Sequence, residues 1–201
     1  MNTIDINLNH TEEFDADGVI IYLNINNKAL NTEMLQLAIK NEVNKLEKIS
    51  SKFSCFFSST NTSFSPIYEK NKIVSYSSYS TYIFKLKLDE KVYQIKKEIL
   101  ENFSNDSINI KPVLLDKKTY ENKVIKDAFE LAKQKAQYIC EINNVTFLNT
   151  LSSVSIDIYS ESNNSQVFLR AKVDNNQDNS LEHLEKQRIS VNLKVSYNFK
   201  N

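Results

Sequence analysis

Apolar and polar residues alternate along several stretches of this chain, as they do in half-buried β-strands. The first stretch carries Ile4, Ile6 and Leu8, and a longer one runs from Val19 to Ile25. The C-terminal stretch alternates most regularly, with apolar positions at Ile189, Val191, Leu193, Val195, Tyr197 and Phe199. Six alternating residues predict an antiparallel strand with one buried face.

Between these stretches, apolar residues recur at steps of three and four, the spacing of an amphipathic helix. The first helix is predicted over about 32–50, and a second should follow Asp89 as its N-cap. The third runs from about Tyr120 to Ile142 and is followed by Asn143-Asn144. Asparagine is the residue that best replaces glycine at a helix C-terminus.

A β-hairpin is predicted between the first two helices. Residues 53–57 and 62–67 are β-prone, and Pro66 places the second segment at an edge or a strand end. After a polar turn at 69–72, apolar residues alternate again up to Leu88. A polar, acidic turn is also predicted at 12–17.

The order of elements is two strands, a helix, a hairpin, a helix, a strand, a helix and further strands. Because pairs of strands adjoin without a helix between them, the fold class should be α+β with a largely antiparallel sheet. The chain is predicted to be one domain, 1–201, or a domain of two sub-lobes, about 1–88 with the C-terminal strands and about 89–160. The polar stretch 160–187 is predicted to be a mobile loop around a short strand at 167–173.

Gly18 is the only glycine among the 201 residues, whereas soluble proteins average roughly 7% glycine. The chain therefore has no glycine-rich dinucleotide loop, P-loop or nucleophile elbow. Lys+Arg and Asp+Glu both number 25, so the formal net charge is zero, and only Arg170 and Arg188 are arginines. This balance argues against a nucleic-acid partner.

The cysteines and histidines are few and far apart. Cys55 and Cys140 lie among apolar residues and are interpreted as buried thiols, with one disulfide between them as the alternative. His10 and His183 are isolated, so the spacing indicates no zinc site. No apolar run is long enough to span a membrane. The N-terminus lacks a signal-peptide pattern, so the protein is expected to be cytoplasmic or to begin after a removed signal.

Two groups of carboxylates are candidates for chemistry. Glu12, Glu13, Asp15 and Asp17 could bind a hard cation such as calcium, but they lack the EF-hand pattern and are interpreted as a solvated turn. Asp89-Glu90 could serve acid–base chemistry, but helix capping explains Asp89 with fewer assumptions. No serine carries a nucleophile signature, so a Ser-His hydrolase is the least favoured reading.

Aromatic residues concentrate on the predicted hairpin. Tyr76 and Tyr82 should share one face and Tyr79 the other, because side chains alternate along a strand. One set should pack in the core. The other could form an exposed strip of the kind found at protein interfaces.

The ordered set of these segments resembles the SIMPL-domain family. Ser65-Pro66-Ile67-Tyr68, a turn, and Lys72-Ile73-Val74-Ser75-Tyr76 resemble the hairpin of the family, with Ser75 in place of its usual glycine. The segment 127–136 is similar to the Ala- and Lys-rich third helix of the family, and Asn144-Val145 stands where Gly-Val is usual. The resemblance spans about 4–199. It implies an α+β domain of bacterial envelopes, associated with stress responses and prone to assembly, with no agreed catalytic residues.

These observations lead to a functional hypothesis. The chain is expected to be a non-enzymatic, envelope-associated or stress-related protein that forms a homo-oligomer and needs no cofactor or metal. By the resemblance it would be periplasmic. The candidate interface residues are Tyr76, Tyr79, Tyr82, Val191, Val195 and Tyr197. The alternatives are a monomeric binding module for a peptide or a small apolar ligand and, least favoured, an unfamiliar hydrolase.

Overall fold

The computed structural model describes residues 2–89, 91–103, 107–161 and 186–200. Helices and strands follow one another in the order that alternation and helical spacing predicted. The elements are β1 (Asn2–Phe14), β2 (Gly18–Ala29), α1 (Thr32–Phe53), β3 (Phe56–Glu69), β4 (Lys72–Lys87), α2 (Lys91–Asn102), β5 (Ser107–Val113), α3 (Lys117–Ile142), β6 (Thr146–Glu161) and β7 (Gln187–Lys200).

The strands form two antiparallel sheets, one in the order β1-β7-β6 and the other in the order β3-β4-β2-β5. The α+β class is therefore confirmed. Two local predictions were wrong. Glu12 and Glu13 belong to β1 rather than to a turn, because β1 stays paired with β7 up to Phe14. The two β-prone segments before the hairpin turn belong to one strand, β3, which begins at Phe56 and has a bulge between Ser59 and Asn61, while Phe53 is the last residue of α1.

The chain divides into two compact units. The terminal unit contains β1, α3, β6 and β7, and the central unit contains the described residues of 16–115. The two sub-lobes predicted from the sequence had other boundaries, because they placed β1 and β7 together with β2 to β4. In the structure, β1 and β7 belong to the same unit as α3 and β6. Of the loop predicted at 160–187, only the ends are described, where β6 ends and β7 begins. The strand predicted at 167–173 and His183 lie outside the described residues.

In the central unit, α1 and α2 supply one apolar layer and the sheet supplies the other. Leu46 and Ile49 of α1 and Ile95 and Ile99 of α2 pack with the odd-numbered residues 19–25 of β2 in one core. Asn31 caps α1 by accepting a hydrogen bond from the backbone N–H of Met34 at 2.8 Å. Burial of the apolar faces of α1 and α2 against the sheet stabilises both helices, because most of the stability of a helix in a protein comes from tertiary packing.

In the terminal unit, α3 lies on one face of the β1-β7-β6 sheet. Ala128, Ala132 and Ala136 recur at four-residue steps and are fully buried, which lets the helix backbone approach the sheet closely. Val124 and Cys140 extend this stripe toward the two ends of the helix. None of the described helices has the length and apolar character needed to span a membrane.

Candidate assembly surface

Among the described residues of the central unit, most of the exposed aromatic side chains lie on the β3–β4 hairpin. β3 is an edge strand of 14 residues, and almost all of its residues are exposed. Phe64 and Tyr68 leave 55% and 61% of their surface in solvent, and Tyr79 on β4 leaves 39%. We call residues 61–79 the outer hairpin, since the core packing of the sheet lies mainly between Ser80 and Leu86 on β4.

The turn of the outer hairpin is built without glycine. Lys70 and Asn71 both have positive φ, 46° and 64°, and Glu69 pairs with Lys72 on either side of them. Two consecutive residues in the left-handed region make a type I′ turn, whose twist matches that of paired strands. Asparagine tolerates this conformation well. The local sequence therefore specifies a tight hairpin that extends the sheet outward.

Tyr79 and Tyr82 point to opposite faces of β4, as their spacing predicted. Tyr82 is fully buried in the core cluster below the helices, with Phe57 stacked at a ring distance of 6.0 Å. Tyr79 lies opposite Ser63 on the face that turns away from the buried, even-numbered residues 78–86 of β4. Tyr76, near the hairpin turn, is half-buried.

Four of the six candidate interface residues do not reach the surface. Tyr82, Val191, Val195 and Tyr197 are each at most 4% exposed. The last three lie on β7, which is the middle strand of its sheet, so both of its edges are paired and its apolar face packs under α3. The alternation of β7 correctly predicted that these apolar side chains face the core. Alternation alone does not show whether a strand is central or at the edge of its sheet.

The strand edges that no described strand covers belong to other elements. β3 is one, and no described strand pairs with its outer edge. No charged residue occurs from Phe56 to Tyr68 or from Ile73 to Phe84. Edge strands usually carry charges, prolines or bulges that prevent pairing with another chain. Here only Pro66 and two register shifts interrupt the edge.

A second exposed apolar strand edge, that of β6, was not predicted from the sequence. β6 is one of the two edge strands of the terminal sheet, and Val154, Ile156 and Ile158 are all more than a third exposed. They lie opposite Val195, Leu193 and Val191. The alternation at 154–158 was visible in the sequence, but no signal there shows that α3 leaves this strand partly uncovered.

The acidic residues Glu12, Glu13 and Asp17 each contact a different partner. Glu12 contacts Lys123 at 2.7 Å, and Glu13 contacts Arg188 at 2.8 Å. The hydrogen bond from Arg188 lowers the pKa of Glu13. Asp17 accepts a hydrogen bond from the backbone N–H of Leu115 at 2.6 Å.

Asp89, of the Asp89-Glu90 pair, accepts a hydrogen bond from the backbone N–H of Lys91, as a capping residue does. Glu90 lies outside the described residues.

The terminal unit has an open cleft of about 360 Å³ between the end of α3 and the start of β6. It is lined by Lys133, Gln137, Cys140, Glu141, Val145, Phe147 and Asn149. Pockets for small ligands usually measure about 300–1,000 Å³. The cleft is thus large enough for a short side chain or a small molecule, and it combines two charged residues with an aromatic ring.

Both cysteines are free, so the disulfide alternative is wrong. Burial raises the pKa of the Cys140 thiol, and it also raises the pKa of Cys55, which is only half-buried. The interpretation as a buried thiol is confirmed for Cys140.

We expect Cys140 to resist alkylation in the folded protein, because the reactive species is the thiolate and burial disfavours it. With iodoacetamide at about pH 8, Cys140 should react at least roughly tenfold more slowly than in the unfolded chain. Peptide mass spectrometry distinguishes the two sites, and Cys55 serves as the internal comparison. Equal rates in folded and unfolded protein would contradict the burial of Cys140.

The family model for SIMPL, described as "Protein of unknown function (DUF541)", matches residues 6–199. Since the match covers nearly the whole chain, the protein belongs to the SIMPL family. The resemblance found in the hairpin and third-helix segments is therefore confirmed. No curated protein matches the chain.

Proposed function

We propose that this SIMPL-family protein is a non-enzymatic subunit that assembles with copies of itself through the outer hairpin of its central unit. The observation that carries the proposal is the uncharged, exposed edge of β3 with its aromatic residues. An open strand edge offers unpaired backbone groups to another strand, and a second copy of the same edge is a ready partner.

The side chains of the outer hairpin favour burial in such a contact. Phe64, Tyr68, Ile73 and Tyr79 are exposed on a segment of about twenty residues. Aromatic residues are enriched at interface centres, whereas charged residues are depleted there. The hairpin meets both conditions, since its charges are confined to the turn.

The overall charge also favours self-association. With 25 acidic and 25 basic residues the chain has no formal net charge, and net charge of one sign is what keeps identical molecules apart. From the family resemblance we also propose that the protein acts in the bacterial envelope, as a periplasmic component of a stress-related assembly.

The test of the hairpin contact is a pair of matched variants. Phe64→Lys places a charge on the outer hairpin, and Tyr93→Lys places one on α2, at a similarly exposed aromatic residue of the same unit. A lysine on a strand edge opposes pairing. We expect Phe64→Lys to weaken self-association at least roughly tenfold, which corresponds to about 1.4 kcal/mol, and Tyr93→Lys to leave it unchanged.

Sedimentation velocity over a concentration series measures both effects. Circular dichroism of each variant controls for misfolding. If both variants associate as the wild type does, the outer hairpin is not the contact. If both dissociate equally, the effect comes from added charge in general and the proposal is again contradicted.

The alternative function is a monomeric binding module, and the cleft beside Phe147 favours it. In that case the chain should remain a monomer while Phe147→Ala abolishes binding of a peptide or small apolar ligand. Catalysis by an unfamiliar hydrolase remains the least favoured proposal, because no nucleophile signature accompanies either histidine.

A further inference from the structure

His10, Glu12 and Asp127 bring three metal-ligating side chains together in the terminal unit. His10 and Glu12 are two residues apart on β1, so they share the face that α3 covers, and Asp127 comes from α3. One ring nitrogen of the histidine and one oxygen of each carboxylate all lie within 4.8 Å of one another. All three residues are half-buried.

We propose that this triad is a binding site for one divalent transition-metal ion, with zinc as the best fit. One imidazole and two carboxylates form a donor set that zinc accepts, and a fourth position is left for water. The proposal is independent of assembly, because no residue of the triad belongs to the outer hairpin.

The spacing of the donors suits a tetrahedral ion. Zinc bonds of about 2.0–2.1 Å place neighbouring ligand atoms roughly 3.3 Å apart. His10 Nε2 and Glu12 Oε1 already lie 3.2 Å apart. The carboxylate of Asp127 needs a shift of at most roughly 1.5 Å, which a change of side-chain torsion can supply.

Lys123 is the competing cation at this site. Its Nζ lies 2.7 Å from Glu12 Oε2, the oxygen that does not face His10. The carboxylate of Glu12 is therefore already paired with an ammonium group, which also repels a metal cation because like charges repel. Removing this ammonium group should make the carboxylate available to a metal ion.

Sequence spacing could not reveal this triad. The two carboxylates are separated by more than one hundred positions in the chain, and only the packing of α3 on β1 brings them together. The expectation that His10 belongs to no zinc site rested on spacing alone.

The test is equilibrium dialysis of the untagged full chain against zinc chloride, with elemental analysis of the bound metal. We expect one zinc ion per chain. Glu12→Gln and Asp127→Asn should each weaken binding at least roughly tenfold, because even the partners of metal ligands contribute about 10–100-fold. Lys123→Met should strengthen binding several-fold.

Two control variants separate the site from general affinity for metals. Glu13→Gln removes the neighbouring carboxylate, which points to the opposite face of β1 and pairs with Arg188. His183→Ala removes the other histidine. Both should bind zinc as the wild type does. The proposal is overturned if the wild type shows no saturable uptake, if Glu12→Gln and Asp127→Asn both bind normally, or if Glu13→Gln is as damaging as Glu12→Gln.

Discussion

Replacing Tyr82 by alanine should lower the free energy of unfolding by about 3–5 kcal/mol, the range for large aromatic residues in a core. Tyr82 is fully buried, pairs with Leu23 of the neighbouring strand β2 and stacks against Phe57. The substitution removes these contacts and leaves a cavity. Since each kcal/mol shifts the melting temperature of a chain of this size by roughly 2–4 °C, the loss should be large in a thermal scan.

Tyr79→Ala is the matched control, because the residue has the same chemistry, lies on the same strand and points to the other face. It should change stability by at most about 0.5 kcal/mol and act on association instead. Urea denaturation followed by circular dichroism, at one protein concentration for all variants, compares the two. A similar loss of stability for both variants would contradict the assignment of their faces.

Gly18→Ala should destabilise the central unit by about 1–3 kcal/mol, the usual effect of overpacking. Gly18 is buried at the start of β2, between Lys87 of β4 and Val113 of β5. A Cβ atom at this position would lie only 2.4 Å from Cγ of Leu115. The backbone conformation is not the cause, because φ of this glycine is not positive.

Shortening the obstructing side chain tests this explanation. In the double variant Gly18→Ala/Leu115→Ala, the added methyl group occupies space that Leu115 vacates. The combined loss of stability should therefore be smaller than the sum of the single losses by about 0.5–3 kcal/mol. Additive losses in urea denaturation would show that Leu115 is not what excludes a side chain at this position.

Periodicity predicted the three helices and most of the described strands, although it placed Glu12 and Glu13 in a turn and divided β3 into two segments. The stripe of α1 and the alternation of β7 correctly indicated what is buried, since both patterns express the requirement that one face meets a core. The hairpin was recognised from its turn and its alternation. The edge position of β3 was predicted only in part, because Pro66 indicated either an edge strand or a strand end.

The neighbours of each element could not be predicted in the same way. Val191 looked like a candidate for an interface because alternation is identical in central and edge strands, and only the pairing of β7 on both sides shows that it is internal. The triad with Asp127 was missed for a related reason, because contacts between α3 and β1 join distant parts of the chain. Local patterns fix burial, whereas strand order and sites depend on long-range packing.

Assembly through the outer hairpin is tested most directly by the molar mass of the wild-type protein in solution. Size-exclusion chromatography with light scattering at micromolar concentration should give a defined multiple of 23.3 kDa. That mass should fall toward the monomer value in Phe64→Lys. A wild-type mass of 23.3 kDa that does not change with concentration would contradict the account.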